Sequence, residues 1–131
     1  MRPVLLLAMI LCVAGNATAQ SQSALWATIT EGSSRAGLQS IATPYATGGP
    51  SASVPARPDG SEPSSVTWFR IRAWAEGTAA RIIVFAVAER PDGSERESQI
   101  ASLALASGES QEIQATEKYN ARPVTVSVSE Q

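Results

Sequence analysis

The segment SVTWFRIRAWA at residues 65–75 and the segment ARIIVFAVAE at residues 80–89 together decide the fold of this chain. Successive side chains of a strand point to opposite faces, so alternation in the first segment places Phe69 and Ile71 together on one apolar face. The second segment is the most apolar run after the N-terminal region, as expected of a central, buried strand. The two segments therefore predict an antiparallel hairpin that contributes Phe69 and Val84 to the core.

Weaker strand patterns flank this hairpin on both sides. The sequence Arg90-Pro91-Asp92-Gly93 predicts a tight turn, because proline presets φ, aspartate bonds its own backbone and glycine accepts a positive φ. Further strands are predicted at residues 24–30, 98–106, 110–116 and 123–129, with a short one at 37–43. Six to seven strands at hairpin spacing predict an all-β fold: a small antiparallel β-sandwich, immunoglobulin-like or related.

Residues 1–19 have the pattern of a signal peptide. Arg2 supplies a positive start, Val4 to Val13 is an apolar core too short to span a bilayer, and Ala17-Thr18-Ala19 provides a cleavage site. We expect export to the bacterial periplasm, or to the cell surface or extracellular space. The mature chain would begin at Gln20 and would have no stable membrane insertion once the signal is removed.

The mature chain is predicted to be a single domain interrupted by one long loop. An N-terminal β segment at 20–42 and a main β-sandwich block at 65–131 are separated by a loop or linker at 43–64, which holds five of the chain's eight prolines. This loop is expected to be mobile and open to cleavage near Arg57. The hexapeptide Arg-Pro-Asp-Gly-Ser-Glu occurs at 57–62 and again at 90–95, and is interpreted as one turn sequence used twice.

Composition excludes several kinds of chemistry. The chain has no histidine, its single cysteine is Cys12 inside the predicted signal, and its net charge is −2. We therefore expect no disulfide, no metal site, no cofactor and no nucleic-acid partner. No catalytic residue is nominated, because Ser34 has no histidine to act as its base. The acidic turn at 92–97 lacks the ligand spacing of a calcium loop and is predicted to be solvated.

The best candidate binding residues are Trp68, Arg70, Arg72 and Trp74, which alternation places on the strand face opposite Phe69. We call these four side chains the Trp/Arg face. Tryptophan and arginine are common at binding hot spots, although such a stripe also serves simply to shield a sheet. The arginines are expected to stack on the indoles, to attract an acidic or extended chain, and to be dispensable for folding.

These observations predict an exported, non-enzymatic binding or assembly protein that contacts a protein partner through a sheet edge or the Trp/Arg face. The alternative is a carbohydrate-binding module that stacks sugar rings on Trp68 and Trp74. A hydrolase using carboxylate pairs is a third and weaker hypothesis, since the aspartates and glutamates fall mostly in predicted turns.

Overall fold

A computed structural model describes residues 25–40 and 50–130, so the predicted signal peptide and Gln20 lie outside the described residues. The described elements, in chain order, are β1 Leu25–Glu31, β2 Ser34–Gln39, β3 Ala52–Pro55, β4 Trp68–Glu76, β5 Ala79–Glu89, β6 Glu95–Ala106, β7 Ser110–Ile113, the short helix α1 Thr116–Tyr119 and β8 Val124–Glu130.

The strands form two antiparallel sheets of four strands each. The first sheet has the order β2-β1-β8-β7, and the second has the order β3-β4-β5-β6. The prediction of an all-β antiparallel sandwich is confirmed. The described residues hold eight strands instead of six to seven, because the sequence pattern does not reveal β3 inside the proline-rich segment.

The core lies between the inner faces of the two sheets. Ile29, Val126 and their neighbours face it from the first sheet, and Phe69, Ile71 and Val84 face it from the second. Phe69 and Val84 are both 0% exposed, which confirms their predicted place in the core. The ring of Tyr119 meets that of Phe69 edge-on, with centroids 6.2 Å apart, so α1 closes one end of the sandwich.

The described part of the 43–64 segment is integrated into the fold, which corrects its prediction as a loop or linker. Residues Ala52–Pro55 pair with β4 as the edge strand of the second sheet, and Pro58 forms a bridge to Ala121. A proline fits here because an edge strand needs backbone donors on one side only. The Arg57 side chain donates to Glu31, and the Arg57 carbonyl accepts a hydrogen bond from the Arg122 amide. The expected cleavage site near Arg57 is therefore held against the rest of the fold.

The two copies of the repeated hexapeptide adopt different structures. The copy at 90–95 turns β5 into β6, with Gly93 at φ 89° and the Arg90 amide donating to the Ser94 carbonyl at 2.7 Å. The copy at 57–62 lies within the longer connection between β3 and β4, where it forms no tight hairpin turn and packs beside residues 120–122. The interpretation as one turn used twice is therefore wrong for the first copy, where tertiary contacts override local preference.

Candidate functional site

The Trp/Arg face lies on the outer face of the second sheet, as alternation predicts. Its four residues stand directly across from β5, in the pairs Trp68–Val87, Arg70–Phe85, Arg72–Ile83 and Trp74–Arg81. Trp68 and Trp74 are half-buried because their indoles pack against an apolar cluster on β5, composed of Ile83, Phe85 and Val87. The two tryptophans therefore cover β5 from either end of the stripe, while the arginines lie between them.

Both arginines are engaged by glutamates of β6. Arg70 Nη1 lies 3.0 Å from Glu95 Oε1 and 2.7 Å from Glu97 Oε2, and Arg70 Nε donates to Ser53 Oγ at 2.9 Å. Arg72 Nη1 donates to the second Glu97 oxygen, Oε1, at 2.9 Å. We call Arg70, Arg72, Glu95 and Glu97 the arginine–glutamate clasp. It spans β5 and offsets the positive charge that was expected to attract an acidic partner.

The clasp is also packed onto an aromatic ring, although not the one that was expected. The Arg72 guanidinium lies 5.0 Å from the centre of the Phe85 ring, a cation–π distance. Arg72 is only 7% exposed, so it belongs to the packed outer layer of the sheet. This burial changes the expectation that both arginines can be removed without affecting folding.

Hydrogen bonding keeps the clasp carboxyl groups ionised. The Arg70 guanidinium donates to Glu95 and lowers the pKa of that carboxyl below its usual range. Burial by itself would raise the pKa of Glu97, but hydrogen bonds from Arg72 and Arg70 outweigh it and the pKa is lowered. The pKa of Arg70 is raised, chiefly by its hydrogen bond to Glu95. The outer face of the sheet is thus held by fixed charges at neutral pH.

An irregularity in β6 determines which of its side chains reach the clasp. Val84 stands opposite Ala101, but the next residue, Phe85, stands opposite Gln99, so Ile100 is an extra residue in β6. Leu103 and Leu105 consequently face the core on one side of this bulge.

Between Glu95 and Gln99, on the other side of the bulge, the odd-numbered side chains point outward instead of toward the core. Glu95 and Glu97 point outward to the arginines, whereas Arg96 and Ser98 stand opposite Ala88 and Ala86, on the inner side. Strict alternation along β6 would have put Glu97 on the same face as the core leucines. That conflict was a signal in the sequence that the strand prediction at 98–106 did not use.

β6 is also the longest edge strand of the sandwich, with 12 residues against 6 in β2 and 4 in β3 and in β7. In the described residues it pairs with β5 alone. β3 ends in a proline, a common protection of sheet edges. The half of β6 from Ala101 to Ala106 contains neither a charged residue nor a proline. Ala106 is closed off, because its amide donates to Glu109 Oε1 at 2.8 Å and its carbonyl accepts from the Glu109 amide at 3.0 Å. Residues 101–105 have no strand on their outer side among the described residues, so backbone donors and acceptors are open there.

A groove of about 320 Å³ opens at the Glu95 end of β6. It runs between the inner side of β5 and β6 and the helix α1, and is lined by Ser65, Val66, Ala86, Ala88, Arg96, Ser98, Gln99, Lys118 and Tyr119. Arg96 and Lys118 are exposed, and among the described residues neither forms a salt bridge. Lys118 Nζ lies 5.6 Å from the centre of the Tyr119 ring, so its charge is held at the wall of the groove.

Glu31 is the one acidic side chain buried within the described ranges, at 1% exposure. Its Oε1 accepts from Arg57 Nε at 2.9 Å, and the same guanidinium donates to Ser34 Oγ at 3.1 Å. The ion pair ties the segment after β3 to the end of β1. Its position is that of a brace between the two sheets.

No protein-family model, no curated protein and no solved structure matches this chain. Among residues 25–40 and 50–130, no helix is long and apolar enough to cross a membrane. In the same ranges no three histidine, cysteine, aspartate or glutamate side chains are grouped so as to hold a metal ion. The function of this protein is accordingly inferred from its own residues.

Proposed function

We propose that this protein is an exported, non-enzymatic binding or assembly protein of the bacterial periplasm or cell surface, which holds an extended segment of a partner protein as an added strand along β6. The observation that carries the proposal is the open, uncharged edge at residues 101–105, which ends where Glu109 bonds the backbone of Ala106. Natural sheets usually protect their edges with short strands, charges, proline or bulges. The first half of β6 has charged residues and the bulge at Ile100, but the half after the bulge has neither a charged residue nor a proline.

Strand addition would use groups that β6 already presents. The main-chain donors and acceptors on its outer side would bond the partner backbone and supply affinity, while alternate side chains of the partner would supply specificity. Ser102 and Ala104 are exposed on one face of the edge, and Leu103 and Leu105 extend the core on the other. A partner segment with alternating apolar and polar residues would match both faces.

The edge is favoured over the Trp/Arg face as the place of contact. Arg70 and Arg72 are held by Glu95 and Glu97, and breaking those pairs to bind an acidic chain would leave buried charge without its partner. The Trp/Arg face is better suited to stiffening the second sheet, which would keep the β6 edge in a fixed shape. A rigid edge binds with less loss of conformational entropy.

The contacts of the glutamates also support a non-enzymatic function. A glycosidase needs one carboxylic acid that keeps its proton near neutral pH. The hydrogen bonds from the arginines lower the pKa of both Glu95 and Glu97, which is the opposite adjustment. The buried Glu31 is already bound by Arg57.

One observation favours carbohydrate binding as a second candidate function. Trp68 and Trp74 are only half-buried and lie at the two ends of one sheet face, where indole rings stack well on sugars. A glycan array probed with the exported protein separates the two functions. Carbohydrate binding that is lost in both Trp68→Ala and Trp74→Ala would support this candidate.

We also propose that the sandwich is related to the immunoglobulin-like folds, on strand number and size alone. The connectivity differs from that of immunoglobulin domains, because β3 to β6 form a simple meander whereas immunoglobulin domains have Greek-key connections. Any relation is therefore distant. The chain crosses between the two sheets only after β2 and after β6 in the described part. The relation of fold implies no shared function.

The strand-addition proposal is tested with peptides selected against the protein. Peptides from a random display library are measured for affinity, and hydrogen exchange of the complex reports which backbone amides they protect. We expect new protection to include residues 101–105; the Ala106 amide already donates to Glu109 in the free protein. The variant Ala104→Lys places a charge on the edge and should weaken binding about tenfold or more.

The matched control is Gln111→Lys, which adds a charge to the exposed edge strand of the other sheet. Its affinity should equal that of the parent. Peptides that add no protection at residues 101–105, or that bind Ala104→Lys as well as the parent, would refute strand addition at β6.

A further inference from the structure

The groove beside α1 has a chemical character that the edge of β6 lacks. Two cations stand at it, Arg96 from β6 and Lys118 from α1, and no carboxylate is among its lining residues. The chain as a whole carries a net charge of −2, so a cationic groove is a local exception. Ser65 and Ser98 add neutral hydrogen-bonding groups, and Ala86, Ala88 and Val66 form apolar walls. Such a lining suits a carboxylate carried on an apolar body.

The position of the groove relates it to the β6 edge. β6 runs from Glu95 to Ala106, and Arg96 is the second residue of the strand. A segment that adds antiparallel to β6 begins beside Ala106 and ends beside Glu95. Antiparallel pairing is the commoner arrangement, and every strand pair described in this fold uses it. The carboxyl end of an added segment that continues past the bulge, alongside Gln99 to Arg96, therefore arrives at the groove.

We propose that the groove binds the C-terminal carboxylate of the segment that adds to β6, so that the partner is a protein whose chain ends in an extended, uncharged stretch. This inference rests on the strand addition proposed above. Arg96 presents a planar set of donors that fits a carboxylate, and Lys118 supplies a second charge from the opposite wall. Together they would fix both the direction and the register of the added strand.

The bulge at Ile100 is what makes this arrangement available. It turns Arg96 and Ser98 to the inner side while Glu95 and Glu97 turn outward to the clasp. The acidic side chains of β6 are thereby kept off the groove and neutralised by Arg70 and Arg72. A carboxylate that approaches from the end of the edge meets the two cations without facing those two glutamates.

The experiment compares two random peptide libraries selected against the exported protein. In one library the peptides are fused to the C-terminus of the carrier and end in a free carboxylate; in the other they are fused to its N-terminus and have none. We expect enrichment from the first library only. Each selected peptide is also made in two amidated forms, one with the same sequence and one with an added internal aspartate. The second form tests whether a side-chain carboxylate can replace the terminal one. Both amidated forms should bind at least about tenfold more weakly than the free acid.

Point variants then test the two cations. Arg96→Gln and Lys118→Gln should each weaken the free-acid peptide about threefold to tenfold and leave the amidated peptide unchanged, since both side chains are exposed and partly screened. Arg35→Gln removes the same charge from an exposed residue of β2, and should change neither affinity.

The outcomes separate this inference from the function on which it rests. Equal enrichment from both libraries, or equal binding of the amidated and free peptides, would overturn the carboxylate site and leave strand addition standing. A loss of affinity in Arg35→Gln as large as in Lys118→Gln would show general electrostatic attraction and would also overturn it. Enrichment from neither library would refute strand addition and the groove together.

Discussion

Removing the Glu97 side chain should destabilise the fold, because one carboxylate serves both arginines of the clasp. Glu97 Oε2 accepts from Arg70 at 2.7 Å, and Glu97 Oε1 accepts from Arg72 at 2.9 Å. In Glu97→Ala, Arg70 keeps Glu95 and Ser53. Arg72, which is 7% exposed over the Phe85 ring, loses the carboxylate that offsets its buried charge.

The size of the effect follows from this burial. Removing one partner of a fully buried ion pair costs about 3–5 kcal/mol, and a hydrogen bond to a charged group contributes about 1.5–3 kcal/mol. The Glu97 side chain is 25% exposed, so water can reach the vacated position in part. We expect Glu97→Ala to lower the free energy of unfolding by about 2–3 kcal/mol at pH 7. For a domain of this size that is a fall in Tm of about 10–15 °C.

Urea unfolding of the full chain, followed by circular dichroism, measures this loss. The matched control is Glu95→Ala, a carboxylate that is 38% exposed and shares Arg70 with Glu97. Its effect should be clearly smaller, because Arg70 retains its bond to Glu97.

The measurement also has a pH dependence of known sign. Both glutamates have a folded-state pKa lowered by the arginines, so their stabilising effect is full above the unfolded pKa, about 4, and is lost as the pH falls through the folded value. The difference in free energy of unfolding between the parent and Glu97→Ala should therefore narrow only below about pH 4. A loss under about 1 kcal/mol, or an equal loss in Glu95→Ala, would refute the reasoning that Arg72 depends on Glu97.

Three further predictions concern the core, the brace and the bulge. Phe69→Ala should cost about 3–5 kcal/mol, since the side chain is 0% exposed and its loss leaves a cavity; a melt that matches the parent would contradict the assigned strand face. Arg57→Ala should cost about 1.5–3 kcal/mol in urea unfolding, because Glu31 stays buried without its cation, whereas Arg35→Ala on the exposed face of β2 should be nearly neutral. Deletion of Ile100 should destabilise the fold by more than Ile100→Ala does, because it would turn the glutamates at the start of β6 toward the core; equal thermal melts of the two variants would show that the bulge does not set the facing.

Local patterns were enough to predict the main strands and their faces. The alternation in residues 65–75 placed Phe69 in the core and the Trp/Arg face outside, and both placements agree with the structure. The Arg90-Pro91-Asp92-Gly93 turn and the buried strand around Val84 were also predicted correctly from local sequence. These features depend on neighbouring residues only, since side-chain facing has a period of two along a strand.

Local patterns did not identify β3, and they did not predict that the two copies of the repeated hexapeptide adopt different backbone conformations. Ala52–Pro55 is short and proline-containing, and it becomes a strand because β4 offers it an open edge. The hexapeptide makes a hairpin at 90–95, where two strong strands flank it, but not at 57–62, where Arg57 is bound by Glu31. In both cases contacts from distant parts of the chain decided the backbone conformation.

The sequence by itself determined that this protein is an all-β sandwich and which residues of β4 and β5 face its core. The tertiary structure alone decided the surfaces available for function. These are the pairing of Arg70 and Arg72 with glutamates of β6, the open edge of that strand, and the groove that both Arg96 and Lys118 line. The physical reason is that facing within a strand follows a local alternation, whereas register between strands, including the extra residue at Ile100, is set by how the two sheets pack.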